Sequence, residues 1–179
     1  MLISFKGKRP VLGKGTKIFP NATVLGNVVM GESCSVWPGA SVRCDRENDD
    51  TETIRIGDRV NIQDCASVHI ARGGHSVRIG NDTSIGHGAI VHGCTVGERC
   101  LIGMGAILQN DCVIGNDCLI GSGTLVSGGT VIPDGHLAFG SPARVIRPLR
   151  PEELEELRTA AAHYTDYLPG YPEFEEEKQ

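Results

Sequence analysis

Large rings are scarce in this chain: four Phe, three Tyr and one Trp in 179 residues. A core exists, because Ile, Leu and Val occur throughout, but flat side chains do not build it. Long apolar runs are missing as well. None approaches the ~18 residues of a membrane span, and the polar start Met1-Leu2-Ile3-Ser4-Phe5-Lys6 is not a signal peptide. No basic stretch interleaved with aromatics appears, which argues against nucleic acid as a partner. No CxxC is present, and seven cysteines cannot all pair within one chain. Free thiols point to a reducing, cytoplasmic setting. What is abundant is glycine, 24 residues, without the every-third spacing of collagen. Charge is uneven. The formal net is -5, yet residues 151–179 carry nine acids and two bases, so residues 1–150 are nearly neutral.

The glycine excess belongs to an internal repeat of six. Aliphatic residues recur at Leu12, Ile18, Val24, Met30, Val36 and Val42, then at Ile56, Ile62 and Val68, then at Ile79, Ile85 and Val91. After a single five-residue step they run Val96, Ile102, Leu108, Ile114, Ile120, Val126 and Ile132. Glycine often follows the aliphatic, as at Gly31, Gly57, Gly80, Gly97 and Gly115, and a small residue falls four positions on. A period of six is neither helical nor a simple strand alternation. It fits a short strand followed by a tight corner. Three such units close a triangular coil of about 18 residues, and the coils stack at the ~4.8 Å strand spacing. The aliphatic points inward, and glycine supplies the positive φ that a corner needs. Thin stacked coils leave no room for rings. Cys94, Cys100, Cys112 and Cys118 fall into the small-residue slot and read as filler rather than as a metal or redox cluster.

The spacing predicts an all-β solenoid of about seven coils over residues 1–150, with a helix over 151–168 and a flexible acidic tail over 169–179. Pro151 opens the helix, Glu152 and Glu153 sit in its first turn, and Leu154, Leu157, Ala161, Tyr164 and Leu168 share one face that packs along the prism. Two polar interruptions break the repeat, Cys44–Thr53 and Ile70–Arg78, and loops on a solenoid often carry function.

Three of the six histidines, His69, His87 and His92, lie in the middle coils. His69 and His87 are about one coil apart and are expected on adjacent coils, with His92 one face further round. Three histidines and a water make an open catalytic metal site. With His87 and His92 on different faces, one chain does not aim all three at one point. A parallel neighbour closes the site, and three prisms side by side do so three times.

The local sequence then becomes specific. Trp37-Pro38-Gly39-Ala40-Ser41-Val42-Arg43-Cys44-Asp45, Asn61-Ile62-Gln63-Asp64, Val68-His69, Gly86-His87-Gly88-Ala89-Ile90-Val91-His92-Gly93-Cys94 and Ile102-Gly103-Met104-Gly105-Ala106 closely resemble the γ-class carbonic anhydrases over about residues 8–165. The resemblance implies a left-handed parallel β-helix. It also implies a homotrimer whose metal sites lie between subunits, with CO₂ and bicarbonate as substrates and Zn²⁺ (or Fe²⁺ or Co²⁺) as cofactor. His69, His87 and His92 match the metal ligands, with the His87 position supplied by the neighbour of the chain that gives the other two. Arg43, Asp45 and Asp64 match residues that form salt links across the interface. Asn61 and Gln63 match polar groups around a metal-bound water, and Tyr164 resembles a tyrosine that reaches towards the site.

A metal held by neutral histidines lowers the pKa of its water to about 7, and turnover then needs a proton carrier. Strongly active members place a glutamate in the loop after the first metal histidine, but Ile70–Arg78 has no acid. His75 is the titratable group there, and Glu47, after Arg46, is the second candidate. This departure places the chain in a shorter subclass, many of whose members show weak or no hydration activity. Two other readings stand beside the enzyme: a metal-binding relative that serves as a scaffold or regulatory subunit, and a hexapeptide acyltransferase that uses acyl-CoA with His75 as its catalytic base.

Overall fold

The computed structural model describes residues 1–45, 53–70, 73 and 75–171. The chain winds as a left-handed parallel β-helix with three flat faces, and each face is one sheet. Two sheets have seven strands and the third has eight. The first face includes Thr23–Gly26, Ser41–Cys44, Ser67–His69, Ile90–His92, Ile107–Leu108 and Leu125–Val126. Its strands pair in parallel, with Val42 beside Val68, Val68 beside Val91 and Val91 beside Leu108. The predicted period of six and stacked coils are what the molecule adopts. The aliphatic position of each hexapeptide points inward, and Val24, Val42, Ile62, Val68, Ile85, Val91, Ile102 and Ile120 are fully buried.

The corners refine one expectation. The glycines after the aliphatics are not the residues with positive φ. At Gly97 the need is closeness: a Cβ would lie 2.6 Å from the backbone oxygen of Gly115 and 2.6 Å from Asn116 Oδ1 in the next coil. At these corners the left-handed conformation falls instead on Ser33, Arg59, Asp82, Arg99 and Asp117. Such residues cost more there than glycine does. Ion pairs tie the four charged ones together between coils: Arg59 Nε lies 2.6 Å from Asp82 Oδ1, and Arg99 Nε 2.7 Å from Asp117 Oδ1. The small-residue slot behaves as expected for Cys94, Cys100, Cys112 and Cys118, all buried and unbridged. The Cys100 thiol donates to the Gly115 carbonyl at 3.0 Å.

The last coil ends in an antiparallel hairpin, His136–Gly140 with Ala143–Pro148, and the chain then turns into helix α1, Pro151–Tyr167. The helix runs back along the third face and packs at Asn61–Ile62. Leu157, Ala161 and Leu168 are buried beneath it. At its far end Lys17 Nζ donates to the Leu168 carbonyl at 2.6 Å, and Tyr171 meets Trp37 edge-on, with centroids 5.3 Å apart. No helix among the described residues is long and apolar enough to cross a membrane.

Candidate metal centre

Stacking places equivalent positions of successive coils in one column. On the first face the outward column reads Arg43, His69, His92, each in register with the next. This differs from the adjacency of His69 and His87 expected from an 18-residue coil. The connection after Ile70 lengthens that coil to 23 residues, so His69 meets His92. Nδ1 of His69 lies 3.1 Å from Nε2 of His92.

The far side of each ring is already engaged. His69 Nε2 donates to Asp45 Oδ1 at 3.0 Å, and Asp45 in turn pairs with Arg43. His92 Nδ1 donates to Asn110 Oδ1 at 2.6 Å. A neutral imidazole carries one N–H, so with both outer nitrogens donating, the two inner nitrogens present lone pairs to each other. That arrangement calls for a positive centre between or beside them. Burial pushes the His69 pKa down; the Asp45 hydrogen bond opposes this without overcoming it, and the Arg43 charge adds to the depression. A metal cation fits that arrangement. Two nitrogens bound at ~2.0–2.1 Å to a tetrahedral ion stand about 3.3 Å apart. Burial alone would raise the Asp45 pKa, but the His69 hydrogen bond and the Arg43 charge outweigh it and keep the carboxyl ionised below its usual range. A carboxylate or amide oxygen behind each ring is the usual way a ligand histidine is oriented.

His87 stands elsewhere, on the corner between the third and first faces. Its Nδ1 lies 3.0 Å from Asp64 Oδ2, and its side chain is 49% exposed, so its Nε2 is the nitrogen left for another partner. Around it gather the other expected residues. Gln63 Nε2 donates to Asn61 Oδ1 at 3.0 Å, and Asn61 Nδ2 donates to Ser84 Oγ at 2.7 Å, all three buried. Tyr164 leans edge-on against Trp37, with centroids 5.5 Å apart. Burial, then the Asp64 charge, raises its phenol pKa.

The named residues therefore fall into two groups. Arg43, Asp45, His69 and His92 share one edge of the first face, while Asn61, Gln63, Asp64, His87 and Tyr164 gather on the third face and its corner. Among the described residues of one chain, no three His, Cys, Asp or Glu groups converge to hold a metal. Arg43 and Asp45 pair within the chain, as do Asp64 and His87, where salt links across an interface were expected. Glu47 lies outside the described residues. His75 Nδ1 lies 2.6 Å from Asp111 Oδ1, at a groove of about 390 Å³ shared with Ser76, Arg78 and Thr95. Sequence reasoning passed over Asn110 and Asp111, which look like ordinary corner residues. The signal was their place one coil beyond His92 and Gly93.

The bacterial transferase hexapeptide (six repeats) family matches residues 9–44, 76–110 and 93–128. The mitochondrial gamma carbonic anhydrase 1 of Arabidopsis thaliana is 35% identical over 71 residues, 40% of this chain and 24% of that protein. The chain spans only 24% to 37% of the length of the curated relatives it matches, carbonic anhydrases and a transferase among them. The solved structure of a hexapeptide transferase family protein from Anaplasma phagocytophilum superposes with a TM-score of 0.89 at 31% identity, covering 96% of this chain and 98% of that one. An N-acyltransferase from Bacillus cereus, solved with dTDP and coenzyme A, shares the fold at 15% identity and a TM-score of 0.66, covering 86% of this chain and 91% of that one.

Proposed function

This chain belongs to the hexapeptide-repeat, γ-carbonic-anhydrase-like family, and from that premise we propose that His69 and His92 of one copy, with His87 of the next, hold a divalent metal for the reversible hydration of CO₂. The observation that carries this reading is the pair of inward nitrogens 3.1 Å apart, each ring fixed from behind by Asp45 or Asn110. Zn²⁺, Fe²⁺ and Co²⁺ all suit such imidazole donors. When bound, the metal supplies a nucleophile from water at neutral pH.

The protein's own groups do the rest. Asp64 turns Nε2 of His87 outward, towards a neighbouring first face. Gln63 and Asn61 arrive with it as neutral donors and acceptors to orient the reacting oxygen. Tyr164 is carried to the same corner by helix α1. His75, held by Asp111, takes the proton to bulk water, and Glu47 is the second candidate for that task. Three copies arranged in a closed ring make three such sites, with Arg43, Asp45 and Asp64 bracing each one.

The competing reading is an acyl transfer from acyl-CoA, favoured by the His75–Asp111 pair beside an open groove. That reading needs no metal, whereas a metal-binding relative that serves as a scaffold or regulatory subunit keeps the metal and lacks hydration. Metal analysis of protein purified without oxygen separates the acyltransferase from the other two, and a CO₂ hydration assay separates those. His69→Ala, His87→Ala and His92→Ala should each lose the bound metal, and co-assembly of the His87→Ala and His92→Ala chains should restore it at the interface left intact in each mixed ring. Full metal content in the single variants, or no recovery in the mixture, contradicts the shared site.

A further inference from the structure

The column that holds the two histidines continues for one more coil. Val91 is in register with Leu108, so Gln109 follows His92 in the outward row as the next rung, at the strand spacing of ~4.8 Å. Gln109 and His92 line one groove of about 530 Å³, with Ile90, Ile107 and Asn110. Ile90 and Ile107 are 38% and 37% exposed, an apolar floor open to the groove.

The Gln109 carboxamide is held at one end. Its Oε1 accepts the backbone N–H of Gly128 at 3.2 Å, which fixes the amide plane and leaves the NH₂ as the unused end. Among the described residues that NH₂ has no hydrogen-bond partner. A fixed neutral donor above an apolar floor, one rung from a histidine pair, suits a small ligand that is apolar as CO₂ and an oxyanion as bicarbonate.

Resting on the proposed metal reading, we infer that Gln109 is a substrate-binding residue whose NH₂ donates to an oxygen of bicarbonate, with Ile90 and Ile107 forming the wall against which CO₂ lies. Gln63, which donates to Asn61, belongs to the opposite half of the proposed site, so the two glutamines act from different copies. The alternative is that Gln109 only pins the Gly128 corner.

The chain contains three glutamines, Gln63, Gln109 and Gln179, so selective ¹⁵N labelling yields three side-chain amide pairs that are readily told apart. Bicarbonate is titrated into zinc-loaded protein while these pairs and the histidine ring resonances are followed. The Gln109 pair should shift saturably. In Gln109→Glu the Gly128 N–H keeps an acceptor but the anion loses its donor and meets a like charge, so the bicarbonate midpoint, read on the ring resonances, should rise about tenfold or more with zinc content unchanged. A Gln109 pair that stays still throughout, or a Gln109→Glu midpoint equal to wild type, overturns the inference. Zinc that leaves the His69 and His92 rings unmoved overturns the metal reading instead. The Gln109 pair, followed in that same sample, still decides this inference by moving or staying still.

Discussion

Two imidazoles whose far nitrogens already donate have little choice about what lies between their near ones. Asp45 and Asn110 enforce this, so each should matter for metal affinity without touching the metal. Asp45→Asn and Asn110→Leu are expected to weaken zinc binding by about 10–100-fold in a chelator competition; unchanged affinity would mean the rings are held by backbone register alone. The three histidines were legible as the residues that break the six-residue monotony. Their pairing was not, because an 18-residue coil sets His69 beside His87, and only the longer coil actually present brings His92 alongside. Asn110 was illegible for a different reason: asparagine at a corner is ordinary, and its hydrogen bond to His92 depends on the register of the next coil.

At the scale of elements, helix α1 shows how a terminal segment is tied to the site. Pro151 and the acids of the first turn mark its start in the sequence, and the apolar spacing marks the face that docks. Glu153 accepts from the Arg150 N–H at 2.8 Å and bridges to Arg147 at 2.7 Å. The Arg147 hydrogen bond and then the Arg150 N–H draw its pKa down to about 2. A carboxyl lowered in this way stabilises the docked helix above its ordinary value, about 4.3, and the contribution fades as the pH falls towards 2. Trp37, stacked on Phe19 at 4.2 Å and met by Tyr164, reports docking. Its emission should change over that acid range, and Glu153→Gln should remove this part of the pH dependence. Leu157→Ala empties a buried position and is expected to cost about 2–4 kcal/mol, with the Trp37 signal lost at lower denaturant than the strand signal. Coincident transitions would show that the helix and solenoid unfold as one unit. The strands themselves were legible because each inward aliphatic repeats six residues on. The allocation of positive φ was not, since close approach and left-handed backbone both select glycine and only the folded chain separates them.

The whole molecule is a prism on which the two halves of the proposed site fall on different faces. Its first face offers His69 and His92; the corner of its third face offers His87. On the proposed reading, that division explains why a single copy assembles no metal cluster among its described residues, and it predicts a closed ring of three. Sedimentation should return three chains per particle, and chelation of the metal should lower the melting temperature, because a ligand bound only to the folded assembly stabilises it by mass action. A monomer with full metal content would contradict the shared site. The low ring count and high glycine count that mark the sequence are consequences of this architecture, while the proposed chemistry rests on the few residues that interrupt it. Stopped-flow CO₂ hydration by protein purified without oxygen and loaded with Zn²⁺ or Fe²⁺ tests the account most directly. A rate above background that disappears in His92→Ala is the result it predicts, and a background rate with every metal site filled is the result that would contradict it.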